Sequence, residues 1–156
     1  MAQRAEELAD VFEASLGDST YCFNDWHAVM ALGLAGRLGT ATRLVADLSG
    51  SATGTNKTML DRAGSDVIRG FLAFAGGDYK MATELLGRAR PYAHVFGGSH
   101  AQRDAIDLTL LAAAAAAHDD NLVRALMAER LARKPAAVAA AHRVVDVNRA
   151  RAAGAH

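Results

Sequence analysis

Three times along the chain a turn residue is followed two positions later by a large apolar residue, and three positions beyond that by alanine. The segments are Gly36-Arg37-Leu38-Gly39-Thr40-Ala41, Gly77-Asp78-Tyr79-Lys80-Met81-Ala82 and Asp120-Asn121-Leu122-Val123-Arg124-Ala125. Each lies between two helix-patterned stretches, so the chain reads as a series of αα-hairpins. The glycine or aspartate lets the backbone reverse. The large residue packs between the paired helices, and the alanine lets them approach closely. The starts of the three segments are 41 and 43 residues apart.

Composition supports an all-α reading. Alanine, the strongest helix former, is abundant, and only 2 prolines occur in 156 residues. No stretch alternates β-branched or aromatic residues with polar ones, so no strand is expected. Helical spacing predicts a first helix over 2–16, carried by Leu8, Val11, Phe12 and Leu16. A second opens with Asn24 as N-cap and runs through Trp26, Val29 and Leu32. A third covers 40–48 and a fourth 58–75, separated by a polar, small-residue loop over 49–56, the one linker-like segment. A fifth starts at Asp78 and kinks or breaks before Pro91. Ser99 caps a sixth over 101–117, a seventh covers 121–133, and beyond Pro135 a helical tail over 136–151 ends in frayed residues.

Charge and cysteine content narrow the function classes. Lys plus Arg and Asp plus Glu both number 17, so no net field favours nucleic acid or an anionic membrane surface. The single cysteine, Cys22, forbids an intramolecular disulfide and suits a reducing compartment. The first ten residues carry Arg4, Glu6, Glu7 and Asp10 and lack the apolar core of a signal peptide. The longest apolar run, Leu108 to Ala117, is too short to span a bilayer. The expectation is a cytoplasmic protein without nucleic-acid or membrane partners.

Four strings, in order, add a resemblance: Phe23-Asn24-Asp25-Trp26-His27-Ala28, Phe74-Ala75-Gly76-Gly77-Asp78-Tyr79, Gly97-Gly98-Ser99-His100-Ala101-Gln102-Arg103-Asp104, and Ala128-Glu129-Arg130-Leu131-Ala132-Arg133-Lys134-Pro135. Together they resemble the C-terminal part of the tetratricopeptide repeat protein 38 family, over about Tyr21 to Pro135, with the Gly97–Asp104 string the most specific. The resemblance implies an α-superhelical repeat fold and little chemistry. A tetratricopeptide helix also carries a small residue where Gly70 stands, although the spacing here exceeds the about 34 residues of an ordinary repeat. Members of that family are much longer, and this chain corresponds to roughly their last third. The fold expected is therefore all-α, with about three tetratricopeptide-like hairpins plus terminal helices forming a short superhelix. One helical-repeat domain spans 1–156, with a capping helix in 1–17, hairpins over 21–135 and a C-terminal helix with a frayed tail over 136–156. An exposed end of the stack is covered either by that first helix or by self-association as a homodimer.

Two polar clusters fall at predicted helix starts: Asn24, Asp25 and His27 at one, Ser99, His100, Gln102, Arg103 and Asp104 at the other. A helix start exposes unpaired N–H groups and favours anions. First helices of such hairpins line a concave face, so the two clusters would converge on one pocket. Asn24, Asp25, His27, His100, Gln102, Arg103 and Asp104 are then ligand-binding candidates, with Arg103 holding a carboxylate or phosphate. The competing reading makes Asn24 and Ser99 caps and the charged residues internal locks between helices. No His-x-x-x-His or Cys-x-x-Cys pair supplies a metal set, so no metal and no cofactor is expected. No nucleophile stands evidently beside a His–Asp pair, and Cys22 reads as a small buried hydrophobe. Phe71, Phe74, Tyr79 and Trp26 read as core. The function expected is a non-catalytic binding or scaffold module recognising a protein, a peptide or a small anionic ligand. The alternative is a small enzyme or accessory subunit working through the same His, Asp and Arg residues.

Overall fold

The computed structural model describes residues 2–14, 22–51, 53–96 and 99–154; these are almost wholly helical, and no strand occurs among them. Helix α1 (Ala2–Ala14) packs on α2 (Cys22–Leu34), which pairs with α3 (Leu38–Ser51). Helix α4 (Gly54–Met59) passes through a π-helical turn, Leu60–Gly64, into α5 (Ser65–Ala75), which pairs with α6 (Tyr79–Ala89). A 3-10 turn, Arg90–Tyr92, and the short α7 (Ala93–Phe96) lead to α8 (His100–Ala116), which pairs with α9 (Asp120–Arg133). A second 3-10 turn, Pro135–Ala137, precedes α10 (Val138–Ala153), which lies along α8. Both prolines thus end a helix and open a tighter turn, as the missing N–H requires. Among the described residues no helix is long and apolar enough to cross a membrane.

The three helix pairs α2/α3, α5/α6 and α8/α9 are joined by one and the same backbone device. Gly36, Gly77 and His118 adopt φ of 73°, 82° and 58°. At each, the left-handed residue donates to the carbonyl three back and its successor to the carbonyl five back: Gly36 to Gly33 and Arg37 to Leu32, Gly77 to Phe74 and Asp78 to Ala73, His118 to Ala115 and Asp119 to Ala114. This double bond pair satisfies carbonyls that the helix end would otherwise leave unpaired. Asp78 and Asp119 then cap the next helix, accepting from Met81 N and Leu122 N at 3.0 Å. The third turn is therefore centred on His118, two residues before the Asp120 that the sequence pattern picks out. The period becomes even: 41 residues separate Gly36 from Gly77, and 41 more reach His118. The reason is that a histidine, rather than a glycine, occupies the left-handed position, while Asp120 two residues before Leu122 imitates the spacing of the other two turns.

The pairs stack through α2 against α5, α3 against α5 and α6 against α8. Small residues set the spacing. A Cβ on Gly70 would lie 2.7 Å from Leu86, and one on Gly33 would lie 2.8 Å from the Ala75 Cβ. The core between these layers holds Trp26, Leu32, Ile68, Leu86, Ile106, Leu110 and Leu111, all nearly or wholly inaccessible. Each such aliphatic side chain contributes about 1.5–3 kcal/mol by leaving water. Trp26 meets Phe71 edge-on with ring centroids 5.3 Å apart. Residues Ala112 to Ala116 are buried where α8 is enclosed by α6, α9 and α10, so the alanine run marks a close helix–helix contact.

Several local expectations change. Most of the expected loop over 49–56 is helical: α3 continues to Ser51, and Gly54, at φ 57°, opens α4. Asn56 is not linker but cap, because its Oδ1 accepts from Cys22 N at 2.7 Å and so satisfies the start of α2 from 34 residues away. Asn24 consequently lies inside the first turn of α2 and is not its N-cap. The tail is helical as expected and buries Ala141, Val145 and Asn148, and the helix runs on through Ala153 with Ala152, expected to fray, buried as well; Ala155 and His156 lie outside the described residues, as do Leu16 of the first predicted helix and Gly97 and Gly98.

Candidate functional site

The charged residues gather in one place, at the end of α6 and the open end of the α8/α9 pair. On α8, His100, Arg103, Asp104, Asp107 and Leu111 share one face by their spacing of three and four; on α9, Leu126, Glu129, Arg130 and Arg133 do the same. Facing each other, and closed by Arg90, Ala93, His94 and Lys134, they enclose a cleft of about 330 Å³. Its floor is apolar, formed by Ala93, Leu111 and Leu126. Five permanent cations, Arg90, Arg103, Arg130, Arg133 and Lys134, face three carboxylates, Asp104, Asp107 and Glu129. A chain with no net charge thus carries an excess of two positive charges at this cleft.

The carboxylates are engaged by specific partners. Arg130 Nη1 and Nη2 donate to the two oxygens of Asp104 at 2.9 Å each, a bidentate fork, and Lys134 Nζ approaches Asp104 Oδ1 at 2.9 Å. Arg130 and then Lys134 hold the Asp104 carboxyl down at about 2. Asp104 in turn raises the pKa of the Arg130 guanidinium. Arg90 Nε donates to Asp107 at 2.7 Å and its Nη2 to Glu129 at 2.6 Å, joining the end of α6 to both α8 and α9. That contact lowers the Glu129 pKa and raises that of Arg90. Arg133 reaches the same Glu129 oxygen at 3.2 Å. Arg130 Nε is buried and makes no hydrogen bond. Around the rim, Arg103 Nη2 donates to His100 Nδ1 at 3.3 Å, with the tautomer assigned from that geometry.

The two clusters expected to converge separate instead. His100, Arg103 and Asp104 line the cationic cleft, whereas Asn24, His27 and Gln102 line a different, mostly apolar groove with Leu8, Phe12, Phe23 and Met30. Gln102 is committed to the capping box of α8: Ser99 Oγ accepts from Gln102 N, and Gln102 Oε1 accepts from Ser99 N at 2.7 Å. His27 Nδ1 lies 2.7 Å from Phe23 O, and its ring meets Phe23 edge-on and Trp26 at a tilt. Asp25 is buried in the core side of α2. Asp104 acts as a lock between α8 and α9. His100 and Asp104 therefore do not form an acid–base pair: each is turned to an arginine. Burial, and then the Asp25 charge, push the Cys22 thiol up to about 11, which suits a packing residue and not a nucleophile. Among the described residues no three of His, Cys, Asp and Glu gather into a metal-binding group.

Sequence reasoning missed Arg90, Asp107, Glu129 and Arg130 as site residues. Two signals pointed to them: the three–four spacing of Glu129, Arg130 and Arg133 along α9, and an arginine placed immediately before Pro91 at a helix end. Phe74 and Tyr79 also change role. Trp26 and Phe71 are core, but Phe74 and Tyr79, with rings 5.7 Å apart, are half-buried and form the wall of a further cavity. No protein-family model and no solved structure matches this chain.

Proposed function

We propose that the chain is a non-catalytic binding module of tetratricopeptide-like, superhelical repeats, akin to the tetratricopeptide repeat protein 38 family, and that its cleft between α8 and α9 takes an anionic group of a peptide or small molecule. The even 41-residue interval between three identical turns supports the repeat reading. One observation carries the binding reading: five cations and three carboxylates line one apolar-floored cleft, which gives it a net positive charge to attract an anionic group. Arg133 and Lys134, 66% and 46% exposed, stand at the rim beside Arg103 and are placed to meet it. Asp104, Asp107 and Glu129 hold the inner arginines in position, which preorganises the site.

Titration of the isotopically labelled protein with inorganic phosphate, succinate and acetyl-tetraglutamate, read by amide chemical shifts, tests this. Saturable shifts confined to 100–107 and 129–134, lost in Arg103→Ala/Arg133→Ala, are expected. A response to the peptide alone identifies a protein partner, and a response to the small anions identifies a small ligand. No shift with any of the three removes the reading.

A further inference from the structure

A second cavity, sharing no lining residue with the cationic cleft, lies where the first helices of all three pairs meet α10. Val29, Met30, Gly33 and Leu34 of α2, Phe71, Phe74 and Ala75 of α5, Thr109 of α8 and Arg151 of α10 surround it, with Gly76, Gly77 and Tyr79 closing the turn side. Its volume is about 500 Å³, within the range typical of small-molecule sites. Most lining residues are apolar or aromatic; the polar side chains among them belong to Tyr79, Thr109 and Arg151. Among the described residues Arg151 has no ion pair or hydrogen bond, and neither hydroxyl is hydrogen-bonded. In the cationic cleft every carboxylate has a cation, whereas here one cation and two hydroxyls stand at an open, largely apolar cavity without a partner among the described residues.

The geometry points to a small carboxylic acid with an apolar body as the ligand of this cavity, its carboxylate on Arg151 and its body between Met30, Phe74 and Tyr79. Charge complementarity selects the acid: a neutral apolar molecule would leave the guanidinium unanswered, and a polyanion would meet one cation among apolar walls. A guanidinium forks onto a carboxylate through two parallel N–H donors, and each hydroxyl can donate as well. The aromatic pair offers the faces against which a flat or branched body packs. Arg151 is exposed, and Tyr79 turns only part of its ring to solvent, so both can be altered without opening the core.

The probes are 4-phenylbutyrate, its neutral amide and acetate, titrated into the whole chain and followed at the Met30 and Thr109 methyl groups. The fluorescence of Trp26, which packs against the cavity-lining Phe71, serves as a second signal. The acid binds saturably; the amide and acetate bind about tenfold or more weaker, the loss expected when a charged hydrogen bond goes. Arg151→Gln reduces phenylbutyrate to the affinity of the amide at an unchanged melting temperature, and Tyr79→Phe weakens it by a smaller factor. Equal binding of acid and amide, an Arg151→Gln variant that binds as wild type, or no saturable response to the acid would each overturn the proposal. The cationic cleft gives no such signal at Met30 or Trp26, so its own success or failure is read separately.

Discussion

At the residue scale the most informative position is His118. It is the one residue other than glycine with positive φ among those described, at 58°, and it occupies the place that Gly36 and Gly77 hold in the other two turns. Its imidazole makes no hydrogen bond among the described residues, so nothing on the side chain offsets the left-handed backbone. His118→Gly is expected to stabilise the protein by about 1 kcal/mol, a rise of roughly 2–4 °C in melting temperature. A lower melting temperature would mean that the histidine makes a contact the backbone argument ignores. Residues 118–120 read as a turn from the sequence, but glycine marks the left-handed position openly and histidine does not, so the repeat pattern counts from Asp120, two residues after the residue that reverses the chain. Asn24 failed for a different reason. It is a good capping residue by type, but the group that satisfies the start of α2 is Asn56, brought there by the fold.

At the scale of elements, α8 and α9 are held by charge as well as by packing. Arg130, whose side chain is 9% exposed, depends on Asp104. Asp104→Ala leaves that cation without its partner and is expected to cost about 3 kcal/mol, measured by urea unfolding near neutral pH. The dependence on pH has a definite sign. The Asp104 carboxyl sits at about 2 in the folded chain against its ordinary 3.8, so the stability it contributes is whole above about pH 4 and drains away as pH falls toward 2. The gap between wild type and Asp104→Ala should therefore narrow across that interval, and a constant gap would show that the carboxylate's charge is not what matters. The helices themselves were legible because their signals are local: Ser99, Asp78, the two prolines and the alanine run each act within a turn or two, whereas Gln102, a ligand candidate by its place in the sequence, is the partner of Ser99 in the capping box. The pairing of Arg90 with Asp107 and Glu129 was not, since it joins residues 17 and 39 positions apart.

At the scale of the whole molecule, α1 closes one side of the stack and α10 covers α8. The contact of α1 is ionic as well as apolar, with Ala9 and Phe12 packed against the core. Arg37, the first residue after the first turn, meets Glu6, Asp10 and Glu13 together, and Thr40 donates to Glu13 at 2.8 Å. Among the described residues of this helix Ala9 alone is fully buried, while Leu8 and Val11 are largely exposed. Arg37→Ala should accordingly speed hydrogen exchange in α1 and leave α5 to α10 protected as before; a uniform loss of protection would mean that α1 supports the whole core. The layered architecture followed from turns and periodicity. What did not follow was the division of the polar residues between two cavities, because that depends on which face of α8 each one occupies once α9 and α2 are in place: His100, Arg103 and Asp104 turn to α9, and Gln102 turns to the groove beside α2.

A preformed cationic cleft binds a polyanion electrostatically, and calorimetric titration with acetyl-tetraglutamate at about 50 mM and about 300 mM salt tests this most directly. One saturable site per chain is expected, weaker at the higher salt, and abolished in Arg103→Ala/Arg133→Ala although the variant melts within a few degrees of wild type. Absence of binding at the lower salt, or binding untouched by the double substitution, would contradict it.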